Sequence, residues 1–312
     1  MKRIEVKGHS GCTVCIEKGT DDFSSDLIIS KSTHDPKYVP RLKAQIEKQK
    51  AIQNNLDNLL YSCDIKIPTI INTTESELSY VASMEYMYGT NFISFFENST
   101  KKEIDDFINK ICEYIDFEIS CSTQSTSNEK VMYKKWLSVK NNLEKLFIDN
   151  EEVESHISRE VFKIIEVCDN IFTEHMKLDA IPVKENMCHG DLTFSNIIFT
   201  NDGTYGLIDF LDSFIETPLM DIVKLRQDSC YDWSTLMYEK NDYDKVRYDI
   251  IRKYIDNKID EHFSSYSFYT EYYDIFQLMN FLRVLQYAKE KHITEYLISV
   301  ITSIINNYSE KI

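Results

Sequence analysis

The segment Met187 to Phe210 leaves the fewest folds open. Two short apolar runs, Ile197-Ile198-Phe199 and Tyr205-Gly206-Leu207-Ile208, flank Asn201-Asp202-Gly203. Asn-Asp-Gly between apolar runs predicts a tight β-hairpin. A hairpin returns its ends to one place. Asn196, just ahead of the first strand, and Asp209, at the end of the second, are therefore neighbours in space, with the loop His189-Gly190-Asp191 beside them. Long helical patterns lie on either side of this β island, at Ile104 to Ile119, Lys130 to Phe147, Val153 to His175 and again to the C-terminus.

The first ~90 residues read differently. Arg3 to Lys7 alternates, Gly8-His9-Ser10-Gly11 is a turn, and β patterning resumes at Cys12 to Glu17 and Leu27 to Lys31. Leu42, Ile46, Ile52, Leu56, Leu59 and Leu60 form one helical stripe, with Pro40 placed for a first turn. Tyr80 to Met87 reads as a buried strand, and the polar stretch Ser120 to Asn128 as a loop. The expected fold class is α+β: a small antiparallel sheet with one helix over residues 1–88, then a mainly helical unit over 89–312.

Three oxygen-bearing side chains, Asp191, Asn196 and Asp209, converge at the island. Magnesium takes few protein oxygens and completes its octahedron with water and phosphate. A separate carboxylate can orient an acceptor hydroxyl and take its proton. Asn196 follows Asp191 by five residues, and Ile208-Asp209-Phe210 lies beyond, which is the spacing of the kinase catalytic loop. With His189-Gly190-Asp191 in place of His-Arg-Asp, the chain resembles the aminoglycoside phosphotransferase and choline kinase family. The resemblance implies a two-lobed protein-kinase-like fold and an ATP- and Mg2+-dependent kinase, with GTP the alternative nucleotide, acting on a small-molecule hydroxyl. It implies Asp191 as catalytic base, Asn196 and Asp209 as magnesium ligands, and His189 as a prop of the loop. Asp221, in Pro218-Leu219-Met220-Asp221-Ile222, matches a structural position of the family.

On the nucleotide side the resemblance places Ser10 and Gly11 over the phosphates, Lys31 on them, and backbone groups of Glu85 and Met87 at the adenine. The family pairs its lysine with a helix glutamate. Here Gln45 and Gln49 share the apolar face of the helix, whereas Glu47 falls on the solvent side at ~100° per residue. The expected partner of Lys31 is therefore a glutamine, Gln45 first. Pro218 follows Asp209 too closely for a protein kinase's long activation segment, and Ala-Pro-Glu is missing.

Charge and cysteine content narrow the function classes. The chain has 35 Lys and Arg against 51 Asp and Glu, a net −16, which argues against nucleic acid and anionic membrane as partners. That balance, with aromatics and acids together after residue 228 (Tyr231, Asp232, Trp233, Tyr238, Glu239, Asp242, Tyr243, Asp244), suits a cationic acceptor; a helical core with a solvated acidic face suits it equally. No apolar run approaches a membrane span, and no apolar stretch follows the basic residues at the start, so a cytoplasmic location is expected. Of eight cysteines, Cys63, Cys112, Cys168 and Cys188 sit in apolar segments. Cys12-Thr13-Val14-Cys15 lies on an expected strand that turns its thiols to opposite faces, so reduced thiols are expected. Two other readings stand beside the kinase: a kinase-like nucleotide-binding scaffold, and a metallophosphatase, which would need further His and Asp clusters.

Overall fold

A computed structural model of the chain describes residues 4–7, 12–18, 27–58, 64–76, 78–124, 130–150, 153–175, 181–184, 187–238 and 243–311. Strands β1 (Ile4–Lys7), β2 (Thr13–Lys18) and β3 (Leu27–Thr33) precede helix α1 (Val39–Asn58). After it come β4 (Ile65–Lys66), β5 (Ile70–Ser76), β6 (Ser79–Glu85) and β7 (Gly89–Thr90). The first sheet is antiparallel throughout in the order β1-β2-β3-β6-β5. Strand β5 escaped the sequence pattern. Its run Ile-Ile-Asn-Thr-Thr-Glu-Ser is mostly exposed and has no apolar alternation, as befits an edge strand that needs only its backbone bonds.

Helix α1 bridges two hydrophobic clusters. Leu42 and Ile46 pack with Tyr80, Ala82 and Met84 under the first sheet, whereas Ile52 and Leu56, further along the same stripe, join the large helical core. That core is built from α2 (Phe92–Asn98), α3 (Lys101–Cys121), α4 (Val131–Leu143), α5 (Ser155–Glu174), α6 (Pro218–Ser229), α7 (Lys245–Phe263), α8 (Ser267–Leu285) and α9 (Lys291–Lys311). Helix starts follow local chemistry. Thr100 and Glu103 form a reciprocal capping box on α3, Asp244 caps α7, and Pro218 opens α6 behind Thr217.

Between the helices lie the two-stranded pair β8 (Thr123–Gln124) with β9 (Pro182–Val183), and the expected hairpin, β10 (Ile197–Thr200) with β11 (Tyr205–Leu207). Part of the stretch expected to be loop, Ser120 to Asn128, is thus the end of α3 and a strand. The hairpin is framed by β4, parallel to β11, and β7, antiparallel to β10. Strands from both sides of residue 88 therefore enter this second sheet, and the division there is a proposal about folding units. Cys12 and Cys15 are both buried: β2 begins at Thr13, so strand alternation does not govern Cys12. The seven described cysteines are free thiols; Cys63 lies outside the described residues. No helix among the described residues is long and apolar enough to cross a membrane.

Candidate active site

The loop from His189 to Asn196 is gripped by one face of α6. Asp221, Lys224 and Asp228 are spaced i, i+3, i+7, so they project to the same side of the helix. Asp221 accepts the backbone N–H groups of His189 at 2.5 Å and Gly190 at 2.7 Å. Asp228 accepts from the Phe194 N–H at 2.6 Å and from Ser234. Between them, Lys224 Nζ lies 3.0 Å from Asp191 Oδ1. Both aspartates are fully buried, and burial pushes each up to about 7, against the pull of Lys48 and the loop N–H groups on Asp221 and of Ser234 and the Phe194 N–H on Asp228. The sequence pointed to Asp221; Lys224 and Asp228 went unread, although their spacing from Asp221 was a usable signal.

His189 sits at 0% exposure against Phe210, ring centroids 4.3 Å apart. Burial lowers it to about 4, so the ring is neutral. One tautomer satisfies both nitrogens: Nε2–H donates to the Ile208 carbonyl at 2.8 Å, and Nδ1 accepts the Asp191 N–H at 3.2 Å. The expected prop thus links the loop to Ile208, the residue that follows β11. Gly190 has φ +83°, and a Cβ there would stand 1.9 Å from the Leu211 carbonyl oxygen, so only glycine fits between His189 and Asp191.

The hairpin pairs Asn196 with Ile208, the residue before Asp209: the Ile208 N–H donates to the Asn196 carbonyl at 3.0 Å. Asn196 donates its amide to the Asp191 carbonyl at 2.8 Å and to Asp191 Oδ2 at 3.0 Å, leaving Oδ1 at the other end of the group. Asp209 has φ +64° and a carboxylate 47% exposed, which receives the ammonium of Lys31. A cation therefore already rests on Asp209, and with Asn196 Oδ1 the donor set is all oxygen, which fits magnesium. Among the described residues no cluster of three or more His, Cys, Asp or Glu could hold a metal on its own.

The nucleotide side needs one correction. Lys31 bonds Asp209, not a glutamine. The helical phase is as expected: Gln45 and Gln49 are buried, and Glu47 is exposed and bound to Lys50 at 2.9 Å. Gln49, however, donates to the Pro68 carbonyl at 2.6 Å. A carboxylate outcompetes a neutral amide for an ammonium, so Lys31 goes to Asp209. The sequence reading also passed over Lys48, on the same buried face and 1% exposed, which donates to the Leu211 carbonyl at 2.6 Å and Glu216 Oε1 at 2.8 Å. This buried pair ties α1 to the segment after Asp209. Glu85 donates its N–H to Thr69, and the Met87 side chain lies where a Cβ on Gly206 would reach, 2.5 Å from Cε. Ser10 and Gly11 lie outside the described residues, as do Glu239 and Asp242. The other acids of the aromatic run are committed locally: Asp244 caps α7, and Asp232 accepts from Thr235 at 2.6 Å.

A model of the phosphotransferase enzyme family matches residues 33–242, about two thirds of the chain. The search of curated proteins returned no match. Among solved structures, a thermostable mutant of aminoglycoside phosphotransferase APH(4)-Ia, in ternary complex with ADP and hygromycin B, is similar, with TM-score 0.60 and 9% identity over 98% of this chain and 93% of that one. The gentamicin complex of APH(2")-IIa aligns with TM-score 0.55 and 17% identity, covering 97% and 91%. A putative fructosamine-3-kinase from Haemophilus somnus 129PT gives 0.51 and 13%, covering 98% and 90%. These likenesses show the α+β kinase-like fold, and the family model gives membership: the chain belongs to the phosphotransferase enzyme family.

Proposed function

We propose that this phosphotransferase moves the γ-phosphoryl group of ATP or GTP to a hydroxyl of a small molecule, with a sugar, amino alcohol or aminoglycoside as the acceptor classes raised by the resemblance. One observation carries the reading: at the open end of the hairpin Asn196 bonds Asp191 and its carbonyl accepts the N–H of Ile208, the residue before Asp209, which holds Lys31. Asn196 Oδ1 and Asp209 would hold magnesium, which when bound neutralises charge on the phosphate oxygens. Lys31, released from Asp209, turns to the same phosphates, and Gln45 comes to it in the nucleotide-bound state. Ser10 and Gly11 cover the phosphates, and backbone groups of Glu85 and Met87 meet the base.

Asp191 orients the acceptor hydroxyl and takes its proton as the oxygen bonds the γ-phosphorus. The bond from phosphorus to the β–γ bridging oxygen breaks, and a nucleoside diphosphate leaves. A carboxylate has about four lone-pair directions, so the bonds from Lys224 and Asn196 hold Asp191 in place and still leave room for the acceptor proton. Asp209→Ala tests the reading. Because Asp209 is half exposed, the apo-protein should melt within about 2 °C of wild type, while Mg2+-dependent binding of ATP is lost. A collapse of apo stability, with nucleotide affinity unchanged in the folded fraction, would make Asp209 a structural residue.

A further inference from the structure

The acceptor side of Asp191 is cationic in an acidic protein. Lys224, from α6, touches Asp191. Arg283, near the end of α8, lies with its guanidinium 5.2 Å from the ring centroid of Phe214, on the segment that follows Asp209. Phe214 in turn stacks on Phe276 of the same helix. Arg283 is half-buried and within electrostatic reach of Asp191 and of Arg41 from α1. Lys135, half-buried on α4, is within reach of Arg283. Lys224 and Arg283 thus bring cations to Asp191 from α6 and α8, and Arg41 and Lys135 stand around Arg283.

Three of these cations have no carboxylate of their own among the described residues. Among the described residues, the charged groups of Arg41, Lys135 and Arg283 make no hydrogen bond and no ion pair; Arg41 lies over the Tyr38 ring at 5.2 Å. This is unusual where acids outnumber bases 51 to 35. Asp209 and Glu216, the nearest acids in sequence to Phe214 with an ion pair, are taken by Lys31 and Lys48. Burial holds Arg283 and Lys135 below their ordinary pKa, and Arg41 and Arg283 respectively lower them further. An anion between them would relieve both burial and mutual repulsion. A guanidinium presents a planar fork that matches a carboxylate or phosphate bidentately.

We infer that the hydroxyl acceptor carries an anionic group, a carboxylate or a phosphate, seated between Arg283 and Lys135 while its hydroxyl meets Asp191. The anionic group itself is unchanged in the reaction. This inference rests on the phosphotransferase reading and sets aside the cationic acceptor that composition left open. It also assigns Arg283 and Lys135 to acceptor selection, and leaves the nucleotide to Lys31.

The test uses the full chain with Mg-ATP and matched acceptors: glycerate and glycerol phosphate against glycerol, gluconate and glucose 6-phosphate against glucose, with choline and ethanolamine as the cationic arm. Release of ADP above the rate with water alone is read as kcat/KM. At least one anionic compound should exceed its neutral counterpart by tenfold or more, and the carboxylate and phosphate arms identify which anion fits. Arg283→Gln should cut that preference by roughly 10- to 100-fold, the worth of a hydrogen bond to a charged group. In the presence of Mg-ADP, inorganic phosphate should raise the melting temperature of wild type and not of Arg283→Gln. Equal or better use of neutral or cationic acceptors, or the same phosphate response in both proteins, overturns the inference and leaves the phosphotransferase reading standing. Weakened ADP binding by Arg283→Gln with the acceptor preference intact moves the guanidinium to the nucleotide and also overturns it. Loss of all nucleotide turnover, with water or any acceptor, in the wild-type protein would sink the underlying reading instead.

Discussion

Replacing Lys48 with methionine keeps the buried stem and removes the charge from the contact between α1 and the segment after Asp209. Glu216 then loses its cation, and the Leu211 carbonyl loses a donor 2.6 Å away. Breaking one partner of a buried pair costs ~3–5 kcal/mol. Lys48 is 1% exposed but Glu216 is 21% exposed and can partly rehydrate, which puts the expected loss near the lower end, about 3 kcal/mol. Glu216 also keeps the Ser213 N–H at 3.0 Å, so its carboxylate is not left bare. For a chain of this size that is a fall of about 5 °C in melting temperature. Urea denaturation of Lys48→Met, Glu216→Gln and the double variant measures the coupling. The double variant should be less destabilised than the sum of the singles by ~1–3 kcal/mol. Strict additivity, or a Lys48→Met midpoint equal to wild type, would refute the claim that this pair fastens α1 to the catalytic region.

Two further outcomes follow from the site. His189 is neutral when folded, at about 4 against an ordinary value near 6.5, so protons bind the unfolded chain first. The stability it contributes is present above pH 6.5 and is lost as pH falls towards 4, about 2 kcal/mol of it between pH 7.5 and pH 5. The gap in unfolding free energy between wild type and His189→Asn should therefore narrow by that amount over the interval; a gap independent of pH would contradict a buried neutral ring. Glu47→Ala should leave the KM for ATP within about twofold, because Glu47 points to solvent and bonds only Lys50 among the described residues. A tenfold rise would mean that α1 turns to deliver Glu47 to Lys31.

What could be read from the sequence was what depends on neighbours in the chain. The hairpin follows from Asn-Asp-Gly between two apolar runs, and it alone brings Asn196 to Asp209. The phase of α1 follows from its stripe, which put Gln45 and Gln49 inside and Glu47 outside. Partners were harder, because they depend on which distant group arrives first. Lys31 found Asp209, 178 residues away, and Gln49 found a carbonyl in the connection before β5. Lys48 was hidden by its type: a lysine on an apolar face reads as an interruption until Glu216 is seen opposite. The grip of α6 on the loop was half legible, through Asp221. The cations near Asp191, Lys224 and Arg283, come from α6 and α8, and no local pattern announces that two distant helices meet there.

The central claim is that Asp191 acts on the acceptor hydroxyl in phosphoryl transfer, and not merely as a turn residue bonding Asn196. Turnover of Asp191→Asn, measured at saturating Mg-ATP and acceptor alongside nucleotide affinity by titration, tests it most directly. Asparagine keeps the shape and can still meet Asn196, so fold and nucleotide affinity should match wild type. Turnover should fall by roughly 10²–10⁴, the usual worth of a positioned base. Turnover within a factor of a few of wild type, at unchanged nucleotide affinity, would remove Asp191 from the chemistry.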